Sequence, residues 1–288
     1  MNSPDPDFKV AARRHWDAAA AGWNEHTPAL HAWLSQATGA MIGMAGVQAG
    51  SRVLDVAAGA GDQTMDLAER VGPAGSVLAV DLAPALVALG EQRARLAGLT
   101  HVAWQVGDGE DLGVEAASFD AVVCRLGLML FPNPLQGLRE MHRALRPGGR
   151  VCTVVFAPPP RNPCITVLTA TALRHAGLPG RDPFAPGSLF SLSRPGALDA
   201  LFHEAGFRDV ATTAMDAVFR MPSVDAYLQF VRSSAGPVLE ILDGLGTDAA
   251  KAAWDDIRQQ LLAFTTPHDW AGPNELLLTA ARKPGGAA

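Results

Sequence analysis

The chain has few of the features that mark several large protein classes. Cysteine is scarce: Cys124, Cys152 and Cys164 are the three among 288 residues. Their number is odd and no Cys-x-x-Cys pair occurs, which argues against a disulfide framework, a structural zinc and a cysteine-bound iron–sulfur cluster. Cys124 and Cys152 lie inside apolar, strand-like runs and read as buried, inert thiols rather than nucleophiles. No block of Lys or Arg occurs, and the formal net charge of −6 with a pI near 5.7 leaves no surface suited to tracking phosphates, so no nucleic-acid partner is expected. Every apolar run is broken by charge, Pro or Gly well short of the roughly 18 residues that a membrane span needs. Met1 to Lys9 carries Asp and Pro where a secretory signal would need basic residues and then an apolar core, so a cytoplasmic protein is expected. The same nine residues are polar and read as loose. No internal repeat and no linker divides the chain.

What is present is a large core. Hydrophobic residues make up 48% and the mean hydropathy is +0.11, enough for one large α/β domain or a domain with an inserted cap. Val53-Leu-Asp-Val-Ala-Ala-Gly-Ala-Gly-Asp-Gln-Thr64 organises it. Val53, Leu54 and Val56 predict a short buried strand, Gly59-Ala-Gly61 a turn with little side chain, and Gln63 onward a helix with Met65, Ala68 and Val71 on one face. Such a turn lets backbone approach a ligand and aims helix N-terminal N–H groups at its polar end. The spacing is Gly59-x-Gly61-x-x-Thr64, so the third glycine of the dinucleotide fingerprint is absent.

Ser76 to Asp81 predicts a second strand ending in an acid, 22 positions after Gly59. At that separation a carboxylate meets a ribose diol; the alternative is a cap for the next helix, whose first turn Pro84 suits. A helix follows from Ala85 to Ala97, then a third strand, His101 to Val106, and the acidic turn Gly107-Asp-Gly-Glu-Asp111. Ser118 to Cys124 predicts a fourth strand, apolar without a break from Ala121 on, as a strand covered on both faces is. Arg125-Leu-Gly-Leu-Met-Leu-Phe131 leaves its carboxyl end, outside which ligands of open α/β sheets bind. Arg125 suits a ligand carboxylate or an anionic substrate group, or else a structural pairing with a loop acid. Asn133-Pro134 starts a helix to Arg146, and Arg150 to Phe156 is a fifth strand.

Taken in this order, the motifs resemble those of the class I S-adenosylmethionine-dependent methyltransferases. The likeness is strongest to the branch containing the ubiquinone and menaquinone C-methyltransferases, whose first motif also reads Leu-Asp-Val-Ala and then a glycine turn ending Gly-Asp. That branch shares Ala57, where many relatives carry glycine. Glu140-Met-His-Arg-Ala-Leu-Arg-Pro-Gly-Gly-Arg150 resembles the family's connection before strand five.

The resemblance implies an α/β fold: a Rossmann-like, seven-stranded, mostly parallel sheet with helices on both faces, the last strand antiparallel, and a helical lid. Residues 1–49 would be an amino-terminal lid segment and 50–157 the cofactor-binding core. Residues 158–288 would complete the same domain, with variable helical insertions at about 158–192 and 222–266. A helix from about Ile165 to His175, a helix from Arg194 to Gly206, a strand from Val210 to Met221 and a final strand from Glu275 to Ala281 are read in that part, the last two strands as an antiparallel hairpin.

S-adenosyl-L-methionine is the implied cofactor and S-adenosyl-L-homocysteine its product. The cofactor would meet Ala57, Ala58, Gly59, Gly61 and Gln63 at the first turn, and Asp81 and Leu82 at the second strand. Asp108, flanked by Gly107 and Gly109, would accept from the adenine amine; a solvated acidic loop is the other reading. Arg125 would hold the amino-acid carboxylate. Trp16 and Trp23 either dock the amino-terminal helix or stand beside the sulfonium, which an aromatic face stabilises. Leu128, Met129 and Phe131 are candidates for the substrate side. The partner is a small, largely apolar methyl acceptor, and a homodimer is compatible with the chain.

Methyl transfer needs a base only when the acceptor must lose a proton. His26, His31 and His268 are the candidates, and no metal is called for. Two rival readings are a nicotinamide-dependent oxidoreductase, which would normally complete the third glycine, and a non-methylating enzyme or binding module that keeps the same cofactor.

Overall fold

The computed structural model describes residues 6–234 and 236–286. The first half is built of alternating strands and helices. β1 (Arg52–Val56), α3 (Asp62–Val71), β2 (Ser76–Asp81), α4 (Pro84–Leu96) and β3 (Val102–Val106) form two consecutive parallel crossovers. They follow α1 (Pro6–Glu25) and α2 (Thr27–Met44). The chain then returns to the other side of β1 as β4 (Phe119–Arg125), α5 (Pro134–Ala144) and β5 (Leu145–Phe156). Because parallel crossovers are right-handed, reversing the direction of travel sends α5 to the opposite face from α3 and α4. Both faces of the central strands are therefore covered, and β1 is buried at every position after Arg52.

β9 (Glu275–Arg282) inserts antiparallel between β5 and β6 (Arg208–Asp216), giving the sheet order β3-β2-β1-β4-β5-β9-β6. The seven-stranded, mostly parallel sheet with an antiparallel last strand is as expected. α6 (Pro163–His175) and α7 (Ala197–Glu204) precede β6, α7 packing on α5 and on the β6–β9 edge.

Three local expectations change. The strand expected over Val210–Met221 is broken, since β6 ends at Asp216 and β7 (Phe219–Met221) pairs instead with β8 (Trp270–Gly272) in a separate ribbon. The break is held by Ala217, whose N–H donates to the Asn274 carbonyl at 2.8 Å and whose carbonyl accepts from Trp33 Nε1 at 2.8 Å. The helical insertion expected at about 222–266 holds three α-helices, α8 (Val224–Ser234), α9 (Gly236–Asp243) and α10 (Thr247–Leu261), the last two parted by Gly244-Leu-Gly246. The loose start shortens as well: residues 1–5 lie outside the described residues, but Phe8 and Lys9 are already helical.

Aromatic packing knits the helical parts together. Trp33 stacks on Phe219 with ring centroids 4.6 Å apart, and Tyr227 stacks on Trp270 at 4.2 Å. Phe230 of α8 meets both Phe219 and Trp23 edge-on, which ties α1 to this seam. At the crossing of α1 and α8, a Cβ on Gly22 would stand 2.2 Å from the Ser233 carbonyl oxygen, so only glycine permits it.

Candidate active site at the carboxyl edge of the sheet

The strand register sets the site. Asp55 pairs with Ala79 and Val123, Asp81 with Val106, and Arg125 with Val154, so the carboxyl ends of β1 to β4 present their next residues along one edge. After β1 the chain turns through Ala57 at φ 56°, Gly59 at 60° and Gly61 at 87°. Ala57 adopts a backbone that ordinary side chains avoid. It is accommodated by Gly127, where an added Cβ would come within 2.3 Å of the Ala57 methyl. Space in front of Gly59 is open, with no atom within 4 Å of where a Cβ would be, while Gly61 is closed behind by the Trp104 ring.

Asp55 is a member of this site that the motif assignment passed over, although an acid inside Val-Leu-Asp-Val was itself a signal. It is fully buried. Thr64 Oγ1 donates to it at 2.6 Å and Gln63 Nε2 at 3.2 Å. Burial pushes its carboxyl up to about 7 in spite of these donors and of Arg125. Gln63, expected at the cofactor, is thus turned toward Asp55 and the Ala57 carbonyl.

Asp81 holds the start of α4, the second of its two readings. Its carboxylate accepts from the Gly59 N–H at 2.8 Å and from the Ala83 N–H at 2.9 Å, tying the glycine turn to the start of α4. Burial raises its pKa, opposed by those same backbone donors. Each carboxylate oxygen has a second lone-pair site, which leaves acceptor capacity for a diol. Leu82 follows, half-buried. In the loop after β3, Gly107 donates to the Asp81 carbonyl at 2.9 Å, and Asp108 Oδ1 accepts from the Glu110 N–H at 2.9 Å. Gly109 lies so close to Phe131 that a Cβ would meet its ring at 2.2 Å.

Lys9 of α1 reaches this loop. Its ammonium is 2.6 Å from Asp108 Oδ2 and 2.6 Å from Glu110 Oε2. Burial opposes its charge, but the two carboxylates outweigh that and raise its pKa. Farther along α1, Asp17 accepts from the Ala85 N–H at 2.9 Å, capping α4, whose own N-cap position is Ala83 and supplies no side chain. Trp16 and Ala60 of the glycine turn both pack against the cluster of Ala20, Ala83 and Leu86, and Trp16 lies 5.8 Å from Trp23. Both tryptophans pack α1 against its neighbours, Trp16 at the start of α4 and Trp23 on Phe230 of α8.

Arg125 has the structural pairing. One guanidinium nitrogen is 2.8 Å from Asp62 Oδ2 and another donates to Thr38 Oγ1 at 2.7 Å. The other oxygen of Asp62 is 3.0 Å from His31 Nδ1. His31 lines an open groove of about 460 Å³ together with Asn24, Asp62, Asp66 and Arg93. His26 donates from Nδ1 to the Gly22 carbonyl at 2.9 Å and packs on Phe230. His268 is exposed on the turn before β8, where its backbone N–H donates to Thr266. Leu128 and Met129 are buried in the main core, while Phe131 is half-buried. All three cysteines are buried; burial lifts the thiols of Cys124 and Cys152 to about 12 and that of Cys164 to about 11, which keeps them protonated. Among the described residues no group of three metal-ligating side chains occurs, and no helix is long and apolar enough to cross a membrane.

The chain's own groups fit a nucleoside carrying an ammonium and a carboxylate. Gly59 opens onto free space, the Asp81 and Asp108 carboxylates at the ends of β2 and β3 are acceptors suited to hydroxyl and amine donors, and buried Asp62 Oδ2 makes no aligned hydrogen bond despite its neighbouring arginine. With a seven-stranded sheet of this order, these features define a class I S-adenosylmethionine-dependent methyltransferase.

Known proteins agree. Residues 31–168 match the ubiE/COQ5 methyltransferase family. Nocamycin O-methyltransferase of Saccharothrix syringae is 30% identical over 240 residues, covering 78% of this chain and 81% of that one. A demethylmenaquinone methyltransferase of Deinococcus radiodurans is 34% identical over 166 residues, 54% of this chain and 68% of that one. The crystal structure of the YcgJ protein from Bacillus subtilis shares the fold, with a TM-score of 0.59 at 20% identity, covering 88% of this chain and 100% of that one. The chain belongs to the ubiE/COQ5 methyltransferase family and is a small-molecule methyltransferase that uses S-adenosylmethionine. Neither the nicotinamide oxidoreductase nor the non-methylating module is favoured by this membership.

Proposed function

We propose that this enzyme methylates an oxygen of a small, largely apolar organic acceptor, with Asp81 receiving the cofactor ribose, Asp108 the adenine amine, and the Asp55–Asp62–Arg125 group the amino-acid end. The observation that carries the oxygen assignment is coverage. The match to an O-methyltransferase runs over 78% of the chain, well into the helical half, whereas the demethylmenaquinone methyltransferase matches 54%. Substrate preference resides in the parts outside the cofactor edge, so likeness there bears on the acceptor.

Bound S-adenosylmethionine supplies a methyl group on a sulfonium, an excellent leaving group. The chain's work is then to orient the acceptor and exclude water. α1 suits the second task, since Trp16 shares with Ala60 of the glycine turn the cluster at the start of α4, and Gly22 is tight against α8. A hydroxyl acceptor must also lose its proton. Of the three candidate histidines, His31 is the one whose ring is hydrogen-bonded to a carboxylate: with Nδ1 donating to Asp62, Nε2 is left as the acceptor. The reading extends to a cytoplasmic enzyme with no nucleic-acid partner, and a homodimer is compatible with it.

The test is incubation with S-adenosylmethionine and a panel of phenols, enols, alcohols and quinols, followed by mass spectrometry of both products. A methyl ether formed together with S-adenosylhomocysteine is the expected result. Methylation at carbon of a quinol and at no oxygen would overturn the oxygen assignment while leaving the family intact.

A further inference from the structure

We infer that Lys9 competes with the cofactor for Asp108, so that release of that carboxylate by α1 favours its capture by an adenine. This rests on the reading of Asp108 as the adenine acceptor. Both ligands of the carboxylate are N–H donors, and the Lys9 ammonium sits on Oδ2 at 2.6 Å, the oxygen that the Glu110 N–H leaves free. The ammonium neutralises that carboxylate and crowds its outer face, so an adenine amine arriving at Oδ2 meets a donor already in place.

The neighbouring carboxylate gives Lys9 somewhere to go. Glu110 has a nearly buried side chain; its Oε1 accepts from the Asn133 N–H at 2.5 Å, and its Oε2 is the second partner of Lys9 at 2.6 Å. When Asp108 turns to adenine, Lys9 keeps Glu110 paired, which spares the protein an isolated buried charge. Without Lys9, Glu110 would hold its charge with the Asn133 N–H alone on its side-chain oxygens.

The attachment of α1 near this end is sparse enough to yield. Lys9 sits beside Phe8, whose ring covers Gly187 closely enough that a Cβ there would meet it at 2.5 Å, and the next polar link to the cofactor half is Asp17 on the Ala85 N–H. Farther along, α1 is flanked by open grooves of about 460 and 500 Å³ that share Asn24. The Lys9 pair is therefore one of a few discrete latches on that side of the helix, and it sets how often the site is open.

The test pairs two variants with two readouts. Lys9→Met keeps the aliphatic stem and removes the donor; Asp108→Ala removes the shared acceptor. Stopped-flow tryptophan fluorescence with S-adenosylhomocysteine gives the association rate, and trypsin cleavage after the exposed Arg13 and Arg14 in ligand-free protein reports the opening of α1 directly. Breaking a partly exposed ion pair changes an opening equilibrium by a modest factor. Lys9→Met is thus expected to raise both the association rate and the cleavage rate about three- to tenfold, and to abolish the acceleration that added salt gives the native protein. Asp108→Ala is expected to weaken equilibrium binding. If Asp108→Ala leaves affinity unchanged, the adenine reading fails; if it weakens affinity while Lys9→Met leaves both rates at native values, the latch fails and the adenine reading stands.

Discussion

The carboxyl edge of β1–β4 and the aromatic seam of α2, α8 and β7–β8 solve opposite problems with opposite materials. Along the edge, side chains are short and acidic, and backbone N–H groups do much of the holding, as at Gly59 and Ala83 on Asp81. In the seam, rings stack, and the indole N–H groups of Trp33 and Trp270 each take one backbone carbonyl at 2.8 Å. A site that must accept polar ligand groups keeps acceptor capacity in reserve, whereas a seam joining helices buries its polar atoms with partners already in place. The edge should therefore fail through ligand affinity, and the seam through stability.

Four measurements break or sharpen that contrast. The largest effect belongs to the seam: Trp33→Ala is expected to cost about 3–5 kcal/mol in chemical denaturation, with little change in S-adenosylhomocysteine affinity for the protein that remains folded. Parallel losses of stability and affinity would show that the two regions are one unit. Next comes Asp81→Ala, expected to weaken cofactor binding by about 1–3 kcal/mol, roughly a 5- to 150-fold rise in Kd by calorimetric titration. Unchanged affinity would remove Asp81 from the ribose site. Asp17→Ala should cost about 0.5–2 kcal/mol of thermal stability through the lost cap on α4; a native Tm would show that α1 does not brace that helix.

The last is a slope with pH. The Asp55 carboxyl is raised by burial from 3.8 to about 7. In that window the folded state holds a proton that the unfolded state has lost, so the Asp55 contribution to stability falls as pH rises from about 4 to about 7 and is level above. Asp55→Asn should cancel this part of the slope in urea midpoints measured across the window. A native-to-variant difference independent of pH would mean that Asp55 is ionised in the fold.

The edge was legible in advance and the seam was not, for a physical reason. Glycines at positive φ, an acid at a strand end and an apolar strand are local requirements, met by residues close in sequence. The spacing from Gly59 to Asp81 was enough to place a carboxylate that the fold then bonds to Gly59 itself. Arg125 shows the limit. Its position at the carboxyl end of β4 was readable, but its partners Asp62 and Thr38 come from two other elements, the latter 87 residues away. Asp55 was within a motif yet passed over, because only burial on both faces of β1 makes its charge costly.

By itself, then, the sequence determined the alternation of strands and helices, the glycine turn and the order of acids along the sheet, since each follows from backbone freedom and periodicity within short windows. Tertiary structure alone decided that β6 stops at Asp216, that Trp33 stacks on Phe219 and that Lys9 lies on Asp108. The two side-chain contacts join residues about 190 and 100 positions apart, and no local propensity chooses among the many partners that such distances allow.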